Sequence, residues 1–212
     1  MKWNNIIFDL DGVICSTDRY HFQAWKKLAE ELSIDFDSDV NDRLRGVSRM
    51  ESLEIILGEK SAQFSPAEKE RLADRKNSYY RTMLQNMSPE DLPQDVRDTL
   101  LTLKSRGCKM AIGSSSKNTR FILQRIGLDG FFDAVADGTQ ISRSKPDPEV
   151  FLLAASLLGA QPKDCLVVED AESGIRAAKA GGFKTIGLGK NDYLIKADYR
   201  IEIFPQMLPY VV

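Results

Sequence analysis

Trp3-Asn4-Asn5-Ile6-Ile7-Phe8-Asp9-Leu10-Asp11-Gly12-Val13 contains the change of character on which the fold turns. Ile6, Ile7 and Phe8 make a short apolar run, the pattern of a central strand buried on both faces. Two acids follow abruptly where such a strand leaves its sheet. Spaced two apart in extended backbone, Asp9 and Asp11 point to the same side. In an open α/β sheet the carboxyl ends of the strands are where ligands bind, and paired carboxylates there call for a cation. A divalent metal is the simplest candidate. Asp-x-Asp-Gly is also an ordinary strand-ending turn, so its meaning depends on the segments that accompany it.

Val167-Val168-Glu169-Asp170-Ala171-Glu172-Ser173-Gly174 repeats the theme, an apolar strand running into paired acids. Asp170 alone would suit a helix cap; beside Asp9 it suits a metal. Mg²⁺ takes hard oxygen ligands and usually keeps waters and substrate phosphate oxygens. Asp9, Asp170 and the backbone carbonyl of Asp11 offer it a half-shell, with Glu169 close by. Gly113-Ser114-Ser115-Ser116-Lys117-Asn118 follows a second strand and opens a helix, where N–H groups and hydroxyls suit an anion. One serine would suffice for capping; three, followed by Lys and Asn, favour phosphate. Lys145-Pro146-Asp147-Pro148 mounts a lysine in a stiff loop, suited to aiming its ammonium at a phosphoryl oxygen.

Around these segments helices and strands alternate. Helices are predicted over 95–106, 118–126, 149–158 and 173–180, and strands over 108–113, 131–135, 165–168 and 185–188. Strands separated by helices of this length indicate parallel βαβ units. Residues 17–86 differ. Phe22, Trp25, Leu28, Ala29 and Leu32 make one helical stripe. Ser48-Arg49-Met50-Glu51 opens a helix with Met50, Leu53, Ile56 and Leu57 inward, and Ser65-Pro66-Ala67-Glu68 opens another. The expected fold is α/β, a doubly wound parallel sheet with a Rossmann-like core (1–16 and 87–212) and an inserted all-helical cap (17–86). Residues 204–212 carry no clear pattern.

With 212 residues, 42% of them hydrophobic, the chain can bury a core with a smaller companion. Its 29 basic and 31 acidic residues nearly cancel, so nothing favours nucleic acid or an anionic membrane as partner. The longest apolar stretch, 150–160, is far short of the ~20 residues that span a bilayer, and no signal-peptide pattern precedes the first strand. Cys15, Cys108 and Cys165 lack metal-ligand spacing and read as reduced thiols, which implies a cytoplasmic protein. Cys15 lies near the candidate site, where its oxidation would inhibit; Cys108 and Cys165 are expected to be packed. Self-contained core and lid patterns suggest a monomer.

Taken together, Asp9-x-Asp11, Ser114, Lys145 and Glu169-Asp170, in that chain order, resemble the motifs of the haloacid dehalogenase-like superfamily of phosphotransferases. The resemblance covers essentially the whole chain. Lid residues resemble a sugar-phosphate mutase branch of it: Thr17, His21 and Trp25 on the first helix, Arg45-Gly46-Val47-Ser48-Arg49 with Ser52 around the next, and Arg75-Lys76-Asn77 on the third. Ser115, Ser116, Lys117 and Asn118 fit the same branch. Asp9 is then the nucleophile that forms an aspartyl-phosphate, and Mg²⁺ with Lys145 offsets the repulsion between carboxylate and phosphate. Asp11 is suited to general acid–base work on the sugar oxygen, and the resemblance assigns it that role. His21 would hydrogen-bond Asp11 or the sugar, and Trp25 is mainly lid core.

A mutase needs a second phosphate site. Arg49 with Ser116, Lys117 and Asn118 could form one, since a guanidinium binds phosphate bidentately. The implied cycle interconverts β-glucose 1-phosphate and glucose 6-phosphate through β-glucose 1,6-bisphosphate. The alternatives are a sugar-phosphate phosphatase on the same scaffold and a non-enzymatic phospho-acceptor. Pro93-Gln94 stands where relatives often carry Pro-Gly, a difference that bears on hinge stiffness.

Overall fold

A computed structural model describes residues 2–44 and 47–212 of the chain. Arg45 and Gly46 lie outside the described residues. Strand β1 (Asn5–Phe8) is followed by helices α1 (Asp18–Glu31), α2 (Ser38–Asp42), α3 (Arg49–Leu57) and α4 (Pro66–Leu84). The alternating part comprises α5 (Gln94–Ser105), β2 (Lys109–Gly113), α6 (Thr119–Arg125), β3 (Ala134–Ala136), α7 (Glu149–Leu158), β4 (Cys165–Glu169), α8 (Glu172–Ala180), β5 (Lys184–Leu188) and β6 (Tyr199–Ile201). Two compact units result: Met1–Ser16 with Ser88–Val212, and Thr17–Met87. Among the described residues no helix is long and apolar enough to cross a membrane.

The first unit is built on a six-stranded sheet in the order β3-β2-β1-β4-β5-β6, parallel throughout. Strand order reverses between β1 and β4, the topological switch point at which such sheets bind ligands. Ile6, Ile7 and Phe8 are fully buried because β1 has neighbours on both edges and cover on both faces. Ile7 packs with Val150, Phe151 and Ala154 of α7 and Ala177 and Ala178 of α8. Alternation turns Phe8 to the other face, against Phe132 and Phe204 with ring centroids 6.3 and 5.6 Å away.

Local forces explain the departures from the expected elements. The β3 ladder begins at Ala134 rather than Phe131, because Gly130 turns the chain at φ +66° and Phe132 is used as a core side chain. Strand β6 has no signal in the sequence: three residues pair with β5 alone. The patternless C-terminal segment forms a 3-10 turn over Phe204–Tyr210, with Phe204 and Met207 buried. Gln94 is the first residue of α5, its amide donating to Asp98 at 2.8 Å, so it belongs to a helix rather than a free hinge.

The second unit contains α1 to α4 and, among its described residues, no strand. Trp25, Leu28, Ala29, Leu53, Ile56, Leu57, Leu72 and Ala73 form its core. Ser65 accepts from the Glu68 amide while the Glu68 carboxylate accepts from that of Ser65, a complete capping box with Pro66 at the first helical position. Ser48 accepts from the Glu51 amide at 3.2 Å. Met50 was expected inward but is 39% exposed, because the first turn of α3 stands clear of the packing stripe. Thr17 precedes α1 as its N-cap position instead of lying on the helix.

Candidate active site

Register brings the acids together. Phe8 pairs with Ile112 on one side and Val168 on the other, so the next residues, Asp9, Gly113 and Glu169, stand side by side where β1, β2 and β4 end. The Asp9 amide donates to the Val168 carbonyl at 3.0 Å, extending the ladder one step. Asp9, Glu169 and Asp170 each present a carboxylate oxygen, all within 4.8 Å of one another. Asp11, expected to contribute its backbone carbonyl, is not one of these three carboxylates. It is half-buried and forms an isolated bridge with Cys15.

Lys145 joins the cluster. Its ammonium donates to Asp9 Oδ1 at 2.5 Å and to Glu169 Oε2 at 2.7 Å, with the side chain 10% exposed. It comes, as the sequence pattern implied, from a loop ahead of a helix, the segment 137–148 between β3 and α7. The Lys145 amide donates to Ser115 Oγ at 3.3 Å, and the Phe151 ring lies 4.4 Å from the ammonium. Burial alone would favour neutral lysine, but Asp9 and Glu169 pull its pKa above the ordinary value. The acids are strained the other way. Burial raises Glu169, and burial with the charges of Glu169, Asp9 and Asp11 pushes Asp170 up to about 9. Three carboxylates share one ammonium, so the cluster has room for more positive charge.

Two glycines permit this crowding. A Cβ on Gly174, in α8, would overlap the Glu169 carboxylate. Gly12 has φ +88°, and a Cβ there would overlap Asp170. Only the absence of a side chain lets backbone approach the acids so closely.

The serine loop is more self-contained than its composition suggested. Ser114 is buried and its hydroxyl accepts the Ser116 amide at 3.2 Å; the Ser116 hydroxyl accepts the Asn118 amide at 3.2 Å. These are local turns, and each hydroxyl keeps its own proton to donate. Asn118 is the N-cap position and lies outside the seven-residue α6, while Lys117 is exposed.

The helical-unit candidates gather among themselves. Lys76 is buried at 2% exposure, with its ammonium 2.7 Å from His21 Nδ1 and 4.7 and 4.8 Å from the Trp25 and Tyr80 ring centres. Burial, then the Lys76 and Arg49 charges, hold the His21 pKa well below 6.5, so its Nδ1 accepts from Lys76 as a neutral ring. Tyr80 stacks on His21 with centroids 4.1 Å apart and donates to Thr17 Oγ1 at 2.9 Å. Arg49 donates to Asn77 Oδ1 at 3.0 Å. Ser52 is buried, Val47 half-buried, and Ser48 exposed and occupied as a helix cap. Gly46 falls on the undescribed residues.

Sequence reasoning did not single out Tyr80, Phe151 or Glu149. For Tyr80 a signal existed, since it stands four residues after Lys76 and shares its helix face. Cys15 is a free, buried thiol near the acids, and burial followed by Asp11 and Asp9 raises its pKa strongly, which disfavours its oxidation. Cys108 and Cys165 are free and buried, as packing predicts.

A family model, haloacid dehalogenase-like hydrolase, matches residues 3–182. A β-phosphoglucomutase of Bacillus subtilis is 44% identical over 195 residues, 91% of this chain and 86% of that protein. A phosphorylated carbohydrates phosphatase of Thermotoga maritima is 32% identical over 184 residues, 85% of this chain and 82% of that protein. The crystal structure of a β-phosphoglucomutase from Clostridium difficile superposes with a TM-score of 0.89 at 38% identity, covering 97% of this chain and 93% of the other.

Proposed function

The chain belongs to the haloacid dehalogenase-like hydrolase family, and from that premise we propose that it interconverts β-glucose 1-phosphate and glucose 6-phosphate by passing a phosphoryl group through Asp9. One observation carries this: at the end of β1 a single ammonium, Lys145, is bonded to both Asp9 and Glu169, with Asp170 beside them. The 44% identity to a β-phosphoglucomutase supports the choice of reaction.

In the proposed cycle the Asp9 carboxylate attacks phosphorus and the phosphorus–sugar oxygen bond breaks. Asp11 protonates the departing oxygen and, in the reverse transfer, takes the proton of the incoming hydroxyl. Lys145 stabilises the charge that builds on the phosphoryl oxygens. Phospho-Asp9 gives its group to the 6-hydroxyl of β-glucose 1-phosphate; the bisphosphate turns over and returns the 1-phosphate to Asp9. Ser114 offers its hydroxyl proton to the phosphoryl group at the same strand ends. The carboxylates of Asp9, Glu169 and Asp170 suit a hard divalent ion, and with the Asp11 carbonyl they would hold Mg²⁺. When bound, the ion supplies charge neutralisation that lets a carboxylate meet a phosphate dianion.

The helical unit is proposed as the cap. Arg49, Lys76, Thr17, His21, Trp25, Gly46, Val47, Ser48 and Ser52 would bind the sugar and its second phosphate, with Ser115, Ser116, Lys117 and Asn118 contributing from the core. Work in the cytoplasm as a monomer, on small-molecule sugar phosphates without nucleic acid or membrane, fits the formal charge of −2 and the three free thiols.

The test is a coupled assay with β-glucose 1-phosphate, Mg²⁺ and a trace of the bisphosphate. Glucose 6-phosphate should accumulate. Stoichiometric release of inorganic phosphate would reject the mutase in favour of the phosphatase reading, for which the Thermotoga relative speaks. Asp9→Asn should abolish turnover in a folded protein, and Arg49→Ala should raise KM by roughly 10-fold or more, the loss of one charged hydrogen bond. Wild-type kinetics for Arg49→Ala would remove it from the second phosphate site.

A further inference from the structure

We infer that Glu149 is a positioning residue for Lys145, its carboxylate fixing the loop that aims the lysine between Asp9 and Glu169. A lysine side chain is flexible and entropically costly to immobilise. Holding its ammonium on two acids therefore requires that the backbone beneath it be rigid. The loop 137–148 has no helix or strand of its own, so its rigidity must come from elsewhere.

Glu149, the first residue of α7, grips the far side of that loop with both oxygens. Oε1 accepts the Ser142 amide at 3.0 Å, and Oε2 accepts the Arg143 amide at 2.8 Å and the Ser142 hydroxyl at 2.9 Å. The closed segment 142–149 holds Lys145 within it. Asp147 tightens the same ring: its carboxylate accepts the Glu149 amide at 3.0 Å and its amide donates to the Ser144 carbonyl at 3.1 Å. The Arg143–Asp147 pair at 3.0 Å adds little, since Arg143 is 71% exposed. Helix α7 is itself anchored through Phe151, buried against Ile7 and lying under the Lys145 ammonium. Bonds from the Ser142 and Arg143 amides hold the Glu149 carboxyl below its usual pKa, consistent with an ionised clamp. Glu149 acts on the loop, not on the reacting atoms.

The inference rests on the role proposed for Lys145, and a double-mutant cycle separates the two. Glutamine has a single acceptor oxygen, so Glu149→Gln turns an amide NH₂ toward a backbone N–H. Its expected effect is a kcat loss on the order of 10- to 100-fold with KM nearly unchanged, the scale of an ångström misplacement. In a Lys145→Ala background, followed at high enzyme concentration, the same substitution should cost under about 3-fold, because its target is gone. Wild-type kcat for Glu149→Gln, or an equal loss in both backgrounds, overturns the inference. Should Glu149→Gln fail to fold, Ser142→Ala decides. It deletes one of the three donors and should lower kcat less, again only when Lys145 is present; unchanged kcat overturns the proposal. Wild-type turnover by Lys145→Ala would defeat the role of Lys145 and the inference with it. Inactive Lys145→Ala beside fully active Glu149→Gln would defeat the inference alone.

Discussion

Gly174 shows how sharply the acid cluster constrains a single position. Inside a helix, Gly→Ala ordinarily stabilises by about 1 kcal/mol on propensity. Here the added methyl would meet the Glu169 carboxylate, which has little room to give because it is buried and bonded to Lys145 and the Ala171 amide. The steric term wins. Gly174→Ala should therefore destabilise by about 1–3 kcal/mol, the usual cost of overpacking, and should lower turnover. Chemical denaturation checks the sign, and a stabilised variant would show that Glu169 is freer to move than its contacts imply. No composition argument could reveal this; Asp9-x-Asp11 and Glu169-Asp170 were legible because acids after apolar runs are conspicuous, whereas the glycines that make space for them resemble ordinary turn residues.

At the scale of elements, signals that depend on neighbours in sequence were the readable ones. The Ser65-Pro66-Ala67-Glu68 box opens α4 because each of its hydrogen bonds spans only three residues. Ser65→Ala should cost the protein about 1 kcal/mol, seen as a lower melting temperature of the helical unit; an unchanged value would mean that tertiary packing alone sets the start of α4. Signals that depend on partners far along the chain were missed. The β6 strand exists because β5 offers an edge. The 204–210 turn is held because Phe204 finds Phe8 across the sheet face. Met50 failed the opposite way, its local spacing predicting burial that the packing of α3 does not provide.

For the whole molecule, concentrated negative charge makes stability depend on pH and on the cation. Asp170, ordinarily near 3.8, titrates at about 9 in the fold. Between those values the folded protein holds a proton that the unfolded chain has released, so stability falls as pH rises toward 9. Glu169, raised by burial, acts in the same direction. His21 acts oppositely: its lowered pKa costs stability only as pH falls below about 6.5, so a scan from about pH 7 to pH 9 excludes it. The buried thiols of Cys15, Cys108 and Cys165, also raised, act alike with and without the ion and cancel in the comparison. In EDTA the melting temperature should decline across that window. With saturating Mg²⁺ it should decline much less, because the ion favours the ionised cluster. Parallel curves would mean that the acids do not hold the metal.

The amino-acid sequence by itself determined the parallel α/β character, the helical block between Thr17 and Asn86, and the identity of the acids and the lysine. These follow from periodicity and from charge placed beside apolar runs, which are properties of neighbouring residues. Only the tertiary structure decided that one ammonium bridges Asp9 and Glu169, that Asp170 is driven toward neutrality, and that Glu149 grips the loop bearing Lys145. The first two depend on strand register and burial, which bring Asp9 together with residues more than a hundred positions away and remove the water that would otherwise screen them. The third depends on the path of a loop that returns Ser142 and Arg143 to Glu149 within seven residues.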